Sequence, residues 1–296
     1  MSVHKKPELL APAGTLDAIK AVLEAGADAV YVSGKALSMR QHRGSYNFTA
    51  TELAEAVTYV HNQGKKLYYT LNSLIFENQL SEIRDVLAVV DEVGPDALIV
   101  QDLATATLAR EICVHVPLHA STMMNVHNAE TALVLKMMGF TRIITSRDIS
   151  LDQIRQIAER SGLEVESFVH GDMCIAQGAQ CYLSGITFGE SSNCGRCMKP
   201  CRWDWSLKAK AGQETFGQAD KGYLLARKDL CLIQHIPALI QQGICSLKIE
   251  GRMRTPEFLG PIVALYRKAV DAYCDNPTNY ALSAADMDDM LKKRVR

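Results

Sequence analysis

The chain has 296 residues, 48% hydrophobic residues and a formal net charge of −1. This composition suffices for one or two packed domains, and the charge balance excludes a strongly basic nucleic-acid-binding class. No stretch approaches the roughly 18 apolar residues that cross a bilayer, and the N-terminal residues lack an apolar secretion signal. We therefore expect a cytoplasmic protein with no membrane span, in which thiols stay reduced.

Short apolar runs alternate with longer segments of helical period. The predicted strands are Glu8–Ala11, Ala29–Val32, Lys66–Leu71, Ala97–Val100, Pro117–Ala120, Arg142–Thr145, Glu164–Val169 and Ser246–Ile249. The predicted helices are Thr15–Ala25, Thr51–Gln63, Leu80–Glu92, Ala104–Cys113, Asn128–Met138, Leu151–Arg160 and Pro256–Tyr273, the last of which is expected to close the ordered part of the chain. Several of these helices follow a capping Thr, Asn, Asp or Ser and stop at Gly.

Eight strand–helix alternations in a chain of this length predict an α/β fold, a TIM-type (β/α)8 barrel that forms a single domain over residues 1–296. An open, doubly wound sheet is the alternative, because strand periodicity alone does not show closure. A Cys-rich insertion, residues 172–231, separates the seventh strand from the eighth.

In such a barrel the carboxyl ends of the strands meet at one mouth and carry the chemistry. The charged residues and the histidine singled out there are Arg147, His170, Glu250 and Arg252 from strand ends, and Arg40 and Arg43 from the loop after the second strand. So many guanidinium groups favour an anionic substrate, a carboxylate or a phosphate. His170 and Glu250 are the candidates for proton transfer, and Glu250 is also expected to pair with Arg252 or Lys248.

Five cysteines lie within the 28 residues 174–201, and Cys231 follows. In a reducing compartment such a cluster favours a metal over disulfides. A structural zinc site often uses two C-x2-C pairs, but only Cys194 and Cys197 have this spacing. An iron–sulfur cluster on dispersed cysteines is the alternative, and spacing alone does not separate the two metals.

Five segments resemble the peptidase U-32 (collagenase-like) family. They are Glu8–Gly14, Phe168–Cys174 with Cys181–Ser184, Gly195–Arg202, Lys228–Cys231 and Ser246–Arg252. The resemblance extends from about residue 7 to residue 273, and the combination of motifs is highly specific.

Members of this family include oxygen-independent hydroxylases that act on a tRNA base, an rRNA base or a quinone precursor. The resemblance implies a 4Fe-4S cluster and prephenate as the oxygen donor. The implied ligands are Cys174, Cys181, Cys197 and Cys231, with Cys201 as the alternate to Cys197. Cys194 has no place in this pattern.

We therefore expect an Fe-S hydroxylase in which Arg40, Arg43, Arg147 and Arg252 bind the carboxylates of the co-substrate. A peptidase is the alternative that the family name suggests, with Cys174 as the nucleophile and His170, four residues before it, as the base. A zinc-stabilised or cluster-bearing partner subunit without its own catalysis is the third. Trp203 and Trp205 are expected to shield the cluster or to face a related partner subunit.

Overall fold

The computed structural model of the protein describes residues 5–206 and 221–292. Its strands are β1 (Glu8–Pro12), β2 (Ala29–Ser33), β3 (Lys66–Leu71), β4 (Ala97–Val100), β5 (Leu118–Ala120), β6 (Phe140–Ile144), β7 (Glu164–Gly171), β8 (Trp205–Ser206), β9 (Lys221–Gly222), β10 (Leu230–Cys231) and β11 (Ser246–Ile249). Its α-helices are α1 (Leu16–Glu24), α2 (Ala50–Asn62), α3 (Leu80–Val93), α4 (Leu103–Ile112), α5 (Ala129–Met137), α6 (Leu151–Ser161), α7 (Leu183–Phe188), α8 (Ile236–Gln241), α9 (Pro256–Asp275) and α10 (Ala284–Lys292). Within the described ranges, no helix is both long and apolar enough to cross a membrane.

Eight parallel strands close into a barrel. Each strand from β1 to β6 pairs with the next one in the chain, β7 pairs with β11, and β11 returns to β1, where Glu8 lies opposite Ser246. The predicted TIM-type barrel is confirmed, and the open-sheet alternative is wrong. The prediction of a single domain over residues 1–296 includes residues that the structure does not describe, and it stays a prediction.

Side-chain caps fix where the outer helices begin. Thr15 accepts a hydrogen bond from Ala18 N at the start of α1, and Thr49 with Glu52 forms a reciprocal capping box at α2. Gly162 ends α6 in a left-handed conformation. These caps lie where the sequence predicts them, and the seven predicted helices agree with the observed bounds to within two residues.

Three helices were not predicted. α7 and α8 have six residues each, too few to show a helical period. α10 follows the predicted end of the ordered chain, so the expectation that Pro256–Tyr273 closes it is wrong. Two of its residues join it to the rest of the fold, because Met290 is fully buried and Asp286 pairs with Lys268 of α9.

Charged side chains fill the amino-terminal half of the barrel interior. Arg142 of β6 donates to Glu8 (2.7 Å), Glu164 (2.9 Å) and Glu166 (3.2 Å). Lys248 of β11 donates to the other oxygen of Glu166 at 2.8 Å. Burial opposes the charge on Arg142, but Glu166 and Glu8 raise its pKa above the ordinary value. Pairing of this kind is what makes buried charge tolerable.

Replacing Arg142 by Met would leave Glu8 and Glu166 without their shared cation. The free energy of unfolding is expected to fall by about 3–5 kcal/mol, the usual cost of removing one partner from a buried ion network. Urea denaturation followed by circular dichroism measures this loss. The matched control is Arg155→Met, whose ion pair with Glu159 is exposed and is worth about 0.5 kcal/mol or less. Equal losses in both variants would contradict the prediction.

Candidate active site

β7 ends at Gly171, whose φ of 109° is a conformation that favours glycine. A Cβ at this position would lie 2.4 Å from the carbonyl oxygen of Glu250, so a side chain is excluded. The chain therefore leaves β7 in close contact with the end of β11. It returns as β10, which pairs antiparallel with the end of β7 and places Cys231 opposite His170.

The Cys-rich segment is held against the loop that follows β2. Gly195 has a φ of 75°, and a Cβ there would lie 2.0 Å from the carbonyl oxygen of Ser38. Gln41 donates to the carbonyl oxygen of Cys194 at 2.6 Å, and His42 Nδ1 donates to that of Gly195 at 3.0 Å. These contacts bring Cys194–Cys197 to the barrel mouth.

Asp172 ties the start of the segment to its middle and to the chain after β11. Its carboxylate pairs with Lys199 at 2.8 Å and with Arg254 at 3.2 Å. Burial alone would raise the pKa of this carboxyl, but Lys199, Arg202 and Arg254 lower it to about 2. The carboxylate is therefore ionised at any physiological pH.

Four cysteines line one cavity of about 100 Å3 above the barrel: Cys174, Cys181, Cys197 and Cys201. Burial raises the pKa of the Cys201 thiol, and the other three thiolates raise it further against the opposing charge of Arg202. Thiol donors in this number suit an iron–sulfur cluster or zinc. In the described ranges no three Cys, His, Asp or Glu side chains already form a metal-binding group, so a bound metal would have to draw the thiols together.

The structure places the remaining cysteines of the segment elsewhere. Cys231 lines a neighbouring surface pocket with Met173 and residues 226–230, and Met173 also borders the cavity of the four cysteines. Cys194 is partly buried, with its carbonyl oxygen bound by Gln41. The predicted set is thus brought together at Cys174, Cys181 and Cys197, with Cys201 beside them and Cys231 on the adjoining strand.

A second cavity, of about 70 Å3, lies inside the barrel mouth and is lined by Arg40, Arg147, Lys248, Glu250 and Arg252, among others. Arg252 is buried and donates to Thr70 Oγ1 at 3.1 Å, while its Nε and Nη2 have no hydrogen-bond partner among the described residues. Burial and the nearby Arg40 lower the pKa of Arg252 to about 10. Buried guanidinium N–H groups without acceptors favour an anionic ligand.

Arg147 is shared by both cavities. Its guanidinium lies over the Phe168 ring at 3.9 Å and donates to the carbonyl oxygen of Asp172 at 3.2 Å. Its buried Nε, like the free atoms of Arg252, finds no acceptor in the part of the chain that the structure describes. The predicted pair Arg147 and Arg252 is therefore brought to one cavity inside the barrel mouth.

Glu250 also lines both cavities. Its carboxylate pairs with Arg40 at 3.5 Å, so the expected pairing with Arg252 or Lys248 is wrong. The loop after β2 turns back over the mouth and brings Arg40 close. Arg43, three residues further, is exposed and lines neither cavity. Its predicted part in anion binding stays a prediction.

His170 faces the helix layer. The pairing of β7 with β11 skips Val169, so Lys248 lies opposite Phe168 and Ile249 opposite His170. Such a bulge interrupts the alternation of the side chains and re-aims them. The His170 ring lies 5.7 Å from the Tyr266 ring of α9, outside the linings of both cavities. His170 is therefore not brought to the predicted mouth.

Lys248 is a cavity-lining residue that the sequence analysis did not single out for function. It lies on β11, is only 3% exposed, and lines the cavity inside the barrel mouth. The signal was available, because Lys248, Glu250 and Arg252 alternate along the strand end. A period of two places such residues on one face, here the interior face of the barrel.

A third and more open pocket, of about 320 Å3, adjoins the other two. It is lined by Thr122, Met123, Ser146, Arg147, Asp148, Met173, Cys174, Ile175, Ala176, Gln177, Gly178 and Arg227. It shares Arg147 and Met123 with both smaller cavities, and Cys174 with the cysteine cavity. Asp148 accepts hydrogen bonds from Gln177 (2.8 Å) and Ser146 at the rim.

The two tryptophans lie on the segment but outside these cavities. Trp203 is 42% exposed and lies 4.9 Å from the Phe188 ring, and Trp205 donates to the carbonyl oxygen of Pro200 at 2.7 Å. They brace the turn that carries Cys201. Neither predicted role, shielding or partner contact, is tested by this arrangement.

Solved structures resemble the fold at low sequence identity. The structure described as the U32 peptidase Mk0906 gives a TM-score of 0.51 at 13% identity and covers 85% of this chain and 95% of its own. Thiamine phosphate pyrophosphorylase from Pyrococcus furiosus gives 0.50 at 13% identity, covering 91% and 98%. At these identities the likeness concerns the fold alone.

Several curated proteins have a higher sequence identity to this chain. tRNA hydroxylation protein P1 of Bacillus subtilis is 36% identical over 98% of this chain and 69% of its own length. The 23S rRNA 5-hydroxycytidine C2501 synthase of Escherichia coli is 33% identical over 94% of this chain, but the match spans 41% of that enzyme. A collagenase of Porphyromonas gingivalis is 32% identical over 90% of this chain and 66% of its own length.

The family pattern described as Peptidase family U32 matches residues 14–296. This range includes seven of the eight barrel strands and the whole Cys-rich segment. The resemblance expected from the motifs is confirmed, and the chain belongs to the peptidase U32 family.

Proposed function

We propose that this chain is an iron–sulfur-dependent, oxygen-independent hydroxylase that modifies a base in RNA with a small anionic co-substrate such as prephenate. The observation that carries the proposal is the adjacency of two cavities. One is lined by four cysteines, and the other is lined by two arginines with buried N–H groups that lack acceptors among the described residues. Arg147 and Glu250 line both, so a thiol-bound centre and an anion would lie side by side.

RNA is the favoured substrate because relatives that match almost the whole chain are named for tRNA hydroxylation and for rRNA hydroxycytidine synthesis. This chain matches only part of their lengths, so RNA as the substrate of this chain is part of our proposal. The open pocket beside Cys174, at about 320 Å3, falls at the lower end of the usual range for ligand pockets. A quinone precursor, also predicted from the resemblance, would use the same opening.

Cys174, Cys181, Cys197 and Cys231 would hold a 4Fe-4S cluster, the set that the family resemblance implies. Cys201, which lines the same cavity as the first three, is the competing ligand. Zinc remains the alternative metal, since thiolates bind both. When bound, an iron–sulfur cluster supplies electrons at the mouth of the barrel.

Arg147 and Arg252 would bind a carboxylate of the co-substrate through the N–H groups that now lack acceptors. Arg40 would neutralise Glu250 or a second carboxylate. Glu250 is the better candidate for proton transfer, because its carboxylate lines both cavities whereas His170 faces Tyr266. The same orientation of His170 weakens the peptidase alternative, which needs this imidazole near Cys174.

Anaerobic purification is expected to yield a brown protein with about four irons per chain. Cys174→Ala, Cys181→Ala, Cys197→Ala and Cys231→Ala should each lose most of the iron, measured with acid-labile sulfide and the visible absorbance. Cys194→Ala, outside the cavity, is the matched control and should keep it. If Cys201→Ala loses the iron while Cys197→Ala retains it, Cys201 replaces Cys197 in the ligand set. Stoichiometric zinc without iron would reject the cluster.

Deleting the gene is expected to remove a hydroxylated pyrimidine nucleoside from total RNA, measured by nucleoside mass spectrometry. The wild-type chain should restore it, whereas Arg252→Met should not, because the carboxylate loses its buried cation. The control is Arg84→Met, whose arginine is exposed and pairs only with Glu111 among the described residues. Unchanged nucleosides together with altered quinones would replace RNA by a quinone precursor as the substrate. If this chain proves to act only with a related partner subunit, that protein must be co-expressed.

A further inference from the structure

Lys248 has no assigned role, yet its position is unusual for a lysine. Its side chain is 4% exposed, and it forms part of the floor of the anion-binding cavity inside the barrel. Lysines are almost never buried to this degree unless they are paired. Its partner is Glu166, whose Oε1 accepts a hydrogen bond from Nζ at 2.8 Å.

Burial and neighbouring cations, more than its aromatic contacts, set the protonation of Lys248. Its Nζ lies 4.4 Å from the centre of the Tyr31 ring and 5.5 Å from that of Phe168, so ring faces replace water around it while still attracting its ammonium form. Burial lowers the pKa of Lys248, and the charges of Arg142 and Arg147 lower it further against the opposing effect of Glu166. A desolvated lysine beside other cations is the usual environment of a nucleophilic amine.

Lys248 is not the only cation that pairs with Glu166. Its second oxygen accepts a hydrogen bond from Arg142 at 3.2 Å, so one carboxylate is shared by two cations. Arg142 also has Glu8 and Glu164 as partners. Glu166 can therefore take a proton from Lys248 without leaving Arg142 unpaired.

The same cavity supplies an anchor for a carboxylate. Arg147 and Arg252, which carry N–H groups without acceptors among the described residues, line it together with Lys248. The volume of about 70 Å3 admits only a small molecule or one end of a larger one. A ligand that reaches Lys248 while its carboxylate stays on the arginines must carry its second functional group close to that carboxylate.

We propose that Lys248 is an amine nucleophile that forms an imine with the carbonyl carbon of a small carboxylate-bearing ketone or aldehyde. This inference rests on the anion-binding role proposed above for the cavity, and it specifies the class of anion as an oxo acid. It also assigns Glu166 as the group that moves the proton.

The atoms of the step balance as follows. Lys248 Nζ gives one proton to Glu166 and attacks the carbonyl carbon. The C–N bond forms as the carbonyl π electrons move to oxygen, and a second Nζ proton passes to that oxygen to give the carbinolamine. The carbinolamine hydroxyl then leaves as water with the proton that Glu166 returns, and nitrogen forms the double bond. An ammonium and a carbonyl have become a protonated imine and one water, with no oxidant or reductant. The protonated imine keeps the positive charge beside the Glu166 carboxylate.

The test is trapping of the imine on the anaerobically purified full chain. Pyruvate and glyoxylate are the probes, cyanoborohydride is the reductant, and peptide mass spectrometry locates the secondary amine. The expected result is a single dominant adduct at Lys248. Acetone, which lacks the carboxylate, should label Lys248 at least about tenfold less than pyruvate does. Pyruvate should label the Arg252→Met variant less than the wild type by the same factor, since a charged hydrogen bond is lost in each case.

Lys248→Arg keeps the charge but cannot form an imine, so the adduct should disappear while the protein stays folded. Lys20→Arg, at an exposed site, is the matched control and should leave the adduct unchanged. Labelling spread over surface lysines, or no adduct at Lys248 with either probe, would overturn the inference. The trapping experiment requires neither RNA nor iron, so a negative result would not contradict the proposed hydroxylase. The iron and nucleoside measurements test that proposal separately.

Discussion

Charge inside the barrel has to be paired, and the rest of the structure depends on how far this pairing extends. In the amino-terminal half, Arg142 pairs with Glu8, Glu164 and Glu166, and Lys248 pairs with Glu166, so both buried cations have partners. Towards the mouth, Arg40, Arg147 and Arg252 face Glu250 alone in the cavity lining. The interior therefore changes from a paired ion network to an excess of positive charge, and that excess is where the proposed anion would bind.

The fold could be predicted almost entirely from the sequence. Buried strands alternate with capped amphipathic helices, and Thr15, Thr49 and Ser150 begin their helices as expected. Short helices such as α7 and α8 were missed because six residues show no reliable period. What periodicity cannot show is whether the eighth strand returns to the first, and only the pairing of β11 with β1 settles closure.

The site was predictable where it depends on strand ends and not where it depends on local irregularity. Arg147, Glu250 and Arg252 follow directly from the barrel rule that strand carboxyl ends carry the chemistry. His170 does not lie at the mouth as expected, because one skipped residue in the β7–β11 pairing turns its side chain outward. No sequence pattern indicates that bulge. The gathering of Cys197 and Cys201 with Cys174 depends on close backbone contacts such as that of Gly195 with Ser38, which join residues far apart in the chain.

The antiparallel pairing of β10 with the end of β7 has a consequence for how this family can vary. The segment over the mouth leaves the barrel at Gly171 and returns at Leu230, two residues that lie opposite each other. A loop with its two ends fixed together can gain or lose residues at an entropic cost that grows only slowly with its length. The stretches between the cysteine motifs of this segment can therefore change in length at a small entropic cost, while the motifs themselves and the barrel register beneath them stay in place.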